Sequence, residues 1–288
     1  MPEGDVVLRT ARRLHEALAG QPLSVADLRV PSLATADLTG HDVEEVVSVG
    51  KHLLMRVAPD WTLHSHLRMD GSWHVFRTGA RWTGGPGHTI RAVLGNTQWT
   101  AVGYRVHDLA LVRRRDEAKL VGHLGPDLLA DDWDLTEAVR RLHAEPQRPI
   151  GQAQRDQRNV AGIGNLFLSE TLFLSGVDPW RPVGEVPAIE TLLERARRLM
   201  TASVAHLGQS TTGDTRRGQG QWVYRREGEP CRRCGTTVRR GQQGAQTEER
   251  STYWCPSCQP GSGPGPTSGA PDSAASRAAA GSRIPRRD

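Results

Sequence analysis

The start of the chain combines a secondary amine with a carboxyl group. If Met1 is removed, Pro2 becomes the N-terminal residue and carries a free secondary α-amino group, although a proline at position two is common and by itself indicates nothing. An α-amino group has an ordinary pKa of about 7.7 to 8.0, so part of it is neutral at physiological pH, unlike an ordinary lysine. Glu3 follows, and burial would raise the pKa of such a carboxyl group. A glutamate in a first helical turn also has a purely structural use, because it complements the helix dipole.

The four cysteines of the chain all lie in one short window near the C-terminus. They form a C-x2-C pair, twenty intervening residues and a second C-x2-C pair, at Cys231, Cys234, Cys255 and Cys258. This spacing is typical of two turns that present four sulfurs to one zinc ion. The intervening segment has β-prone ends around a Gly/Gln-rich middle, which predicts a β-hairpin. A closed four-thiolate site leaves no open coordination position, so we expect the zinc ion to be structural.

A glycine-rich segment in the middle of the chain predicts a tight turn before a helix. Residues 156–179 read DQRNVAGIGNLFLSETLFLSGVDP, with Gly162, Gly164 and Asn165 at the turn. A helix N-terminus after such a turn exposes backbone N–H groups that suit a phosphate. The alternative is that Asn165 serves only as a helix cap.

The hydrophobic pattern changes twice along the chain. Helical spacing over 6–18 predicts an amphipathic helix, and Gly20 is a plausible stop. Short apolar runs separated by turn residues then predict strands over about 43–104. Helix-like patterning returns in three later segments, 135–142, 165–174 and 189–207. These patterns predict an antiparallel β-sandwich with a flanking helix, followed by a helical domain.

We therefore expect an α+β protein with a modular organisation. The predicted parts are an N-terminal β-sandwich domain (1–115), a linker (116–130), a helical domain (131–220), a zinc finger (221–260) and a disordered tail (261–288). The tail has only one large apolar side chain and cannot offset its ordering entropy.

Composition adds broad expectations about partners and location. The chain of 288 residues has a formal net charge of +5 and a sequence pI near 9.4, a mild excess that fits a polyanionic partner. The first residues, MPEGDVVLRT, contain no apolar stretch behind a basic start, and no apolar run approaches the length of a membrane span. We expect a soluble cytoplasmic protein, and one that associates with the nucleoid if this polyanionic partner is DNA.

Several segments, in order over residues 1–260, resemble the formamidopyrimidine-DNA glycosylase and endonuclease VIII family. They are MPEG, VGKHLL, DQRNVAGIGNLFLSETLF, WVYRREGEPCRRCG and ERSTYWCPSCQ. The resemblance implies a β-sandwich, a helix-two-turn-helix domain and a zinc finger, with DNA held in the cleft between them. It also implies a bifunctional DNA glycosylase/AP lyase of base excision repair that works through a Schiff base and nicks the strand by β- and δ-elimination. The expected partner is damaged DNA, double- or single-stranded, and the expected protein is a monomer without a small-molecule cofactor.

The resemblance also implies a role for each matching residue. Pro2 would attack C1′ of the damaged nucleotide, and Glu3 would protonate the deoxyribose ring oxygen. Lys51, in GKHLL, would point into the cleft at the phosphate or the leaving groups. Asn165 and Arg250 would grip the phosphates that flank the lesion, and Arg250 would also assist the second elimination.

Two further residues match family positions but also have ordinary readings. Met69, in LRMDG, is placed like the wedge that fills the hole left by the extruded base, although a methionine near a strand end is often core. His88, in GHTI, matches a phosphate contact, although a histidine between two strands is also a common structural residue.

Departures from the family pattern point to one branch. The start PEGD and the short connection from Leu207 to Trp222 are closer to endonuclease VIII, so we expect oxidised pyrimidines as preferred substrates. Val6 stands where many relatives carry a second glutamate, for which Asp5 is a partial substitute. QAQRDQ replaces more usual apolar residues before the glycines, and HDLALVRRR replaces the DxRRFG-like segment of the purine-specific relatives.

Two rival functions belong to other classes. One is a non-catalytic, zinc-containing sensor of damaged or single-stranded DNA that keeps the phosphate grips without turnover. The other is a zinc-ribbon scaffold that recruits proteins and binds DNA only weakly.

Overall fold

In the computed structural model, which describes residues 2–206, 208–244 and 250–264, the chain begins with one amphipathic helix. This helix, α1, spans Gly4–Leu18. Its inward face carries Val7, Leu14 and Leu18, which recur at helical spacing and are buried. Glu3 is the N-cap with an extended backbone. Gly20, with φ of 74°, turns the chain away beyond the helix end, in a conformation that favours glycine.

Two antiparallel sheets follow and share a core with α1. The nine strands are β1 (Gln21–Pro22), β2 (Val25–Leu28), β3 (Asp42–Val49), β4 (His52–Val57), β5 (Trp61–His66), β6 (Ser72–Arg77), β7 (Ile90–Gly95), β8 (Trp99–Tyr104) and β9 (Asp108–Arg113). One sheet has the order β1-β3-β4-β5-β9, and the other has the order β2-β7-β8-β6. Side chains from α1 and both sheets form one apolar cluster. Sheets and helices together confirm the predicted α+β class.

Five helices make up the next part of the described chain. They are α2 (Ala118–Val121), α3 (Leu135–His143), α4 (Ile150–Arg155), α5 (Asn165–Leu174) and α6 (Ile189–Val204). The sequence pattern had not indicated α2 and α4, because each is too short for a helical repeat to emerge. α5 lies at the centre of this part, with Leu166 through Phe173 all buried. Within the described ranges, no helix has both the length and the apolar content to cross a membrane.

The C-terminal part contains a two-stranded hairpin. Strands β10 (Arg239–Gln243) and β11 (Arg250–Trp254) pair antiparallel, with Arg239 opposite Trp254 and Gln243 opposite Arg250. Residues 245–249 of the connection lie outside the described residues, as do 265–288, on which most of the disordered-tail expectation falls. The domain boundaries stay predictions.

A buried carboxylate ties the segment before the first cysteine pair to the helical core. Glu170, on α5, accepts hydrogen bonds from the backbone N–H groups of Trp222, Val223 and Tyr224, each at 2.8 Å, and from the Thr211 hydroxyl. Both oxygens are therefore occupied by donors. The carboxylate fixes the path of the chain between α6 and the cysteines.

Replacing Glu170 by glutamine tests this anchor. Glu170→Gln keeps the shape but turns an amide NH2 group toward N–H donors, which leaves buried polar groups unpaired. We expect the free energy of unfolding to fall by about 3 kcal/mol. Urea denaturation measures it, with Glu190→Gln on the exposed side of α6 as the matched control. Equal stability of the two variants would contradict the anchoring role.

Candidate active site

The carboxylate of Glu3 sits on the N-terminus of α5, far away in sequence. It accepts hydrogen bonds from the backbone N–H groups of Leu166 at 2.7 Å, Gly164 at 2.9 Å and Phe167 at 3.3 Å, and the residue is fully buried. The first N–H groups of a helix have no partner within the helix, and the helix dipole favours a negative charge there. Glu3 therefore caps a helix that lies in the other half of the molecule.

Gly164 is the residue that makes room for this carboxylate. A Cβ atom built on Gly164 would lie 2.4 Å from Cδ and 2.6 Å from Cγ of Glu3. The backbone of Gly164 is extended, with φ of −125°, so other residues tolerate its conformation. The need for glycine here comes from the approach of Glu3 and not from backbone strain.

Burial changes the proton affinity of Glu3. Loss of solvation raises the carboxyl pKa above its ordinary value, while the positive charge of Lys51 and the backbone donors of α5 oppose the rise. Because the net shift is upward, the protonated form persists to a higher pH than for an exposed glutamate. The group is chemically suited to give and take a proton.

The N-terminus is held in place by a backbone contact next to Glu3. The N–H of Gly4 donates to the carbonyl of Gly162 at 2.9 Å, and a Cβ atom on Gly4 would lie only 3.0 Å from Cα of Gly162. Pro2 is half-buried beside this contact. The chain start is thus fixed against the residues that precede α5.

Those residues connect α4 to α5, and one side chain holds them together. We call residues 156–164 the glycine turn. Within it, Gln157 donates to the carbonyls of Arg155 at 2.9 Å and Ile163 at 3.0 Å and accepts from the N–H of Gly162 at 3.1 Å. Gly162 has φ of 92°, a value that favours glycine.

Lys51 reaches the same place from the sheet. It follows Gly50 in the turn between β3 and β4, where Gly50 has φ of 59° and donates its N–H to the Asp127 carboxylate at 2.7 Å. A Cβ atom on Gly50 would lie 3.4 Å from the nitrogen of Gly162, so this turn packs on the glycine turn. Burial lowers the pKa of Lys51, the charge of Glu3 opposes that change, and the charge of Arg155 adds to it. The structure therefore brings Pro2, Glu3 and Lys51 together.

Asn165 and Arg250 lie on adjoining elements. The Asn165 side chain donates from Nδ2 to the carbonyl of Ser251 at 2.6 Å, which joins the first residue of α5 to β11. Arg250 is exposed at the start of that strand. Both residues are thus held at one junction of α5 and the hairpin.

Sequence reasoning missed Arg155 at the end of α4. Its guanidinium donates to Oδ1 of Asn165 at 3.0 Å and to the Thr252 hydroxyl at 2.8 Å, so it touches both α5 and the hairpin. Burial and the charge of Arg250 lower the pKa of Arg155 to about 10, and the charge of Glu3 opposes that change. The only sequence feature that pointed to Arg155 was the polar stretch QAQRDQ, and the sequence alone did not show which residues its guanidinium contacts.

Met69 and His88 lie elsewhere, on exposed turns of the sheets. Met69 is 64% exposed in the turn after β5, so the reading of this methionine as a core residue is wrong. His88 is exposed in a short 3-10 helix before β7, and its carbonyl accepts from Arg91 at 2.9 Å.

Asp5 is engaged with α6. The buried carboxylate accepts from the Ser203 hydroxyl at 2.6 Å and from Nε2 of Gln209 at 3.0 Å. These contacts fasten α1 to α6. Asp5 therefore has a structural role, whereas the sequence analysis had considered it only as a partial substitute for the second glutamate of many relatives.

The four cysteines form a cluster at the base of the hairpin. All four sulfurs lie within 4.8 Å of one another, with 4.0 Å between Cys231 and Cys258 and 3.5 Å between Cys234 and Cys255. Four sulfurs arranged tetrahedrally around one ion at zinc–sulfur bond length would lie about 3.8 Å apart. The cluster thus has the ligand type and spacing to hold one metal ion.

Comparisons with known proteins match nearly the whole described chain. The formamidopyrimidine-DNA glycosylase N-terminal domain model matches residues 1–121, and the formamidopyrimidine-DNA glycosylase H2TH domain model matches residues 124–215. A probable endonuclease 8 2 of Streptomyces coelicolor is 54% identical over 268 residues, which are 92% of this chain and 96% of that protein. DNA-(apurinic or apyrimidinic site) lyase Nei2 of Mycolicibacterium smegmatis is 44% identical, over 90% of this chain and 99% of that protein.

Solved structures share the same fold at low sequence identity. Lactococcus lactis Fpg in complex with DNA containing N7-benzyl-Fapy-dG has a TM-score of 0.73 and 21% identity, and covers 90% of this chain and 100% of that one. MutM in complex with DNA containing carbocyclic 8-oxo-G has a TM-score of 0.75 and 22% identity, with the same coverage.

The close approach of Gly164 and Glu3 generates a prediction. In Gly164→Ala the new methyl group occupies the place of the carboxyl group, so Glu3 must leave the N-terminus of α5. We expect cleavage of a duplex containing an abasic site, the reaction named for the Mycolicibacterium smegmatis relative, to slow by at least about 100-fold, the scale expected when a group placed to give and take a proton is lost.

Gel-based single-turnover kinetics measure the effect, with thermal melting to show that the variant is folded. Gly87→Ala is the matched control, because a Cβ atom there meets nothing within 4 Å. Cleavage by Gly164→Ala at the parent rate would show that the position of Glu3 does not matter.

Proposed function

The chain belongs to the formamidopyrimidine-DNA glycosylase family, in its endonuclease VIII branch, and on this premise we propose that Pro2 is its covalent nucleophile. As a member of this branch it is a DNA glycosylase with AP lyase activity that acts in base excision repair. The observation that carries the proposal is the placement of Glu3: its buried carboxyl group caps α5 directly beside the N-terminal residue.

Pro2 forms the covalent bond. After Met1 is removed, the nitrogen attacks C1′ of the damaged nucleotide, the glycosidic bond breaks, and its electron pair leaves with the base. Opening of the sugar ring then gives an iminium ion. Loss of a C2′ proton breaks the 3′ C–O bond, and a second elimination breaks the 5′ C–O bond, which leaves phosphate at both ends of the gap.

Glu3 supplies the proton for ring opening. Its burial raises the carboxyl pKa and keeps an acid available closer to neutral pH. The three α5 donors hold the carboxyl group in one orientation, which lowers the cost of bringing acid and sugar oxygen together. After ring opening the same group accepts protons from the sugar.

Lys51, Asn165 and Arg250 bind the backbone around the lesion. The cation of Lys51 faces the cleft at the phosphate or the leaving groups. Asn165, at the first turn of α5, and Arg250, on the hairpin, grip the phosphates on either side of the damaged nucleotide. Binding both flanking phosphates favours extrusion of the nucleotide from the stack. Arg250 also assists the second elimination, which breaks the 5′ C–O bond.

Met69 and His88 act on the DNA from the sheet side. An exposed methionine on a turn suits a wedge that fills the hole left by the extruded base, because its side chain is apolar and flexible. His88, also exposed, contacts a backbone phosphate.

Oxidised pyrimidines are the preferred lesions in this proposal. The basis is the endonuclease VIII branch, the PEGD start, and the absence from the sequence of a DxRRFG-like segment. The protein acts as a monomer on double- or single-stranded damaged DNA, in the cytoplasm and at the nucleoid.

Zinc is the metal that the cysteine cluster binds. Its four thiolates leave no open position, so the ion holds the base of the hairpin and takes no part in the reaction. Arg250, Ser251 and Thr252 belong to that hairpin, and loss of the ion would release the residues that meet Asn165 and Arg155.

The covalent step is tested by locating the adduct. The chain has only two lysines, Lys51 and Lys119, so three amines compete to form an imine. After incubation with an abasic duplex and borohydride, we expect mass spectrometry of the digested protein to find the sugar on the peptide that begins with Pro2.

Lys119→Arg is the control for this experiment, since Lys119 is exposed and pairs with Asp116 at 2.7 Å. The adduct should form at the parent rate in that variant. A sugar attached to Lys51, or no adduct on any duplex, would refute the proposed nucleophile, and the second result would favour a non-catalytic DNA sensor.

Metal removal tests the role of zinc. We expect elemental analysis to find about one zinc ion per chain, and to find none in Cys255→Ser. Loss of the ion should weaken binding to a duplex with a tetrahydrofuran abasic analogue by at least about tenfold, because one or two phosphate contacts are lost. Ser257→Ala, an exposed change between the last two cysteines, should keep both metal and affinity. Full affinity in a metal-free protein would contradict the assignment.

A further inference from the structure

We propose that Arg155 is a positioning residue that orients the Asn165 amide for phosphate binding. The proposal rests on the phosphate role assigned to Asn165 above. Arg155 ends α4, Asn165 begins α5, and the hairpin strand β11 lies against both. The three elements meet at this one guanidinium.

The contacts of Arg155 are made from two of its nitrogen atoms. Nη2 donates to Oδ1 of Asn165 at 3.0 Å and to the Thr252 hydroxyl at 2.8 Å, while Nη1 donates to the carbonyl of Gln243 at 3.3 Å. Thr252 is buried and donates onward to Oε1 of Gln243 at 3.2 Å. Contacts with the hairpin therefore fix the orientation in which the guanidinium meets Asn165.

This geometry decides which way the Asn165 amide faces. The amide has an oxygen that only accepts and a nitrogen that only donates. Arg155 supplies donors alone, so it holds Oδ1 on its own side and leaves Nδ2 on the other side, where one hydrogen already meets the Ser251 carbonyl at 2.6 Å. The second hydrogen of Nδ2 is then available to an anionic oxygen. In the flipped orientation, Oδ1 would face the phosphate and repel it.

The position of this cation favours a functional use over a contribution to stability. A half-buried charge loses part of its solvation, and apolar side chains of similar volume often stabilise such sites as well or better. Arg155 keeps its charge at neutral pH, because burial lowers its pKa only to about 10.

A double-mutant cycle tests whether Arg155 acts through Asn165. The variants are Arg155→Met, Asn165→Ala and their combination, and the readout is affinity for a duplex with a tetrahydrofuran abasic analogue. Arg155→Met keeps an unbranched chain and should fold. We expect it to weaken binding about tenfold in the parent, the scale of a hydrogen bond to a charged group, and less than about twofold in the Asn165→Ala background.

The salt dependence of binding separates positioning from direct contact. A residue that neutralises a phosphate lowers the slope of log affinity against log salt by about one. We expect the slope to be unchanged in Arg155→Met. Equal losses of affinity in both backgrounds, or a slope reduced by about one, would overturn the proposal.

Two controls keep this test apart from the proposed function itself. Arg140→Met removes an exposed arginine that pairs with Glu137 on α3, and should leave affinity unchanged. Borohydride trapping of the parent protein reports separately on the covalent mechanism. A parent that forms the adduct while the cycle is additive would refute only the role of Arg155, whereas a parent that forms none would refute the nucleophile.

Discussion

The contact between Glu3 and the N-terminus of α5 is the constraint on which the rest of the site depends. It joins the second residue after the chain start to a helix that begins more than 160 positions later, and it does so through three backbone donors. Gly164 has no side chain to block the approach of Glu3. The hydrogen bond from Gly4 to Gly162 fixes the chain start against the residues that precede α5. Lys51 arrives at the same point because the β3–β4 turn packs on the glycine turn through Asp127. A change in the spacing between the sheets and the helices would therefore move all these groups at once.

Two other buried carboxylates show what distinguishes Glu3. Asp5 and Glu170 also accept several hydrogen bonds without exposure to solvent, but their donors belong to structural segments around α6 and the approach to the cysteines. Glu3 alone meets a helix terminus together with a lysine and the chain start. Burial raises the carboxyl pKa of Glu3. The same type of side chain fastens the fold in two places, and in the third it is the proton donor of the proposed mechanism.

The sequence predicted the individual helices and strands better than the contacts between them. Helix α5 begins at Asn165 and ends at Leu174 as the pattern predicted. The cysteine spacing predicted the cluster, and the β-prone ends of the intervening segment predicted the hairpin. These features depend on local periodicity or on ligand spacing, which one chain segment displays by itself. The short helix α4 and the contacts of Arg155 were missed, because neither has a periodic signature and every partner of the Arg155 guanidinium other than Asn165 is distant in sequence. The roles of Pro2, Lys51 and Arg250 came from family resemblance, since proline, lysine and arginine at such positions are ordinary without it.

The tethered chain start has a consequence for how the protein is made. While Met1 is attached, the nitrogen of Pro2 belongs to an amide and has no basic electron pair, so on the proposed mechanism it could not attack a sugar. Removal of Met1 would then create the proposed nucleophile in a position that the Gly4 to Gly162 contact fixes. On the proposed mechanism, the protein is a zymogen whose propeptide is a single methionine. On the same mechanism, its active concentration in the cell would depend on N-terminal processing as well as on synthesis, and a fusion partner at this end would block the nucleophile.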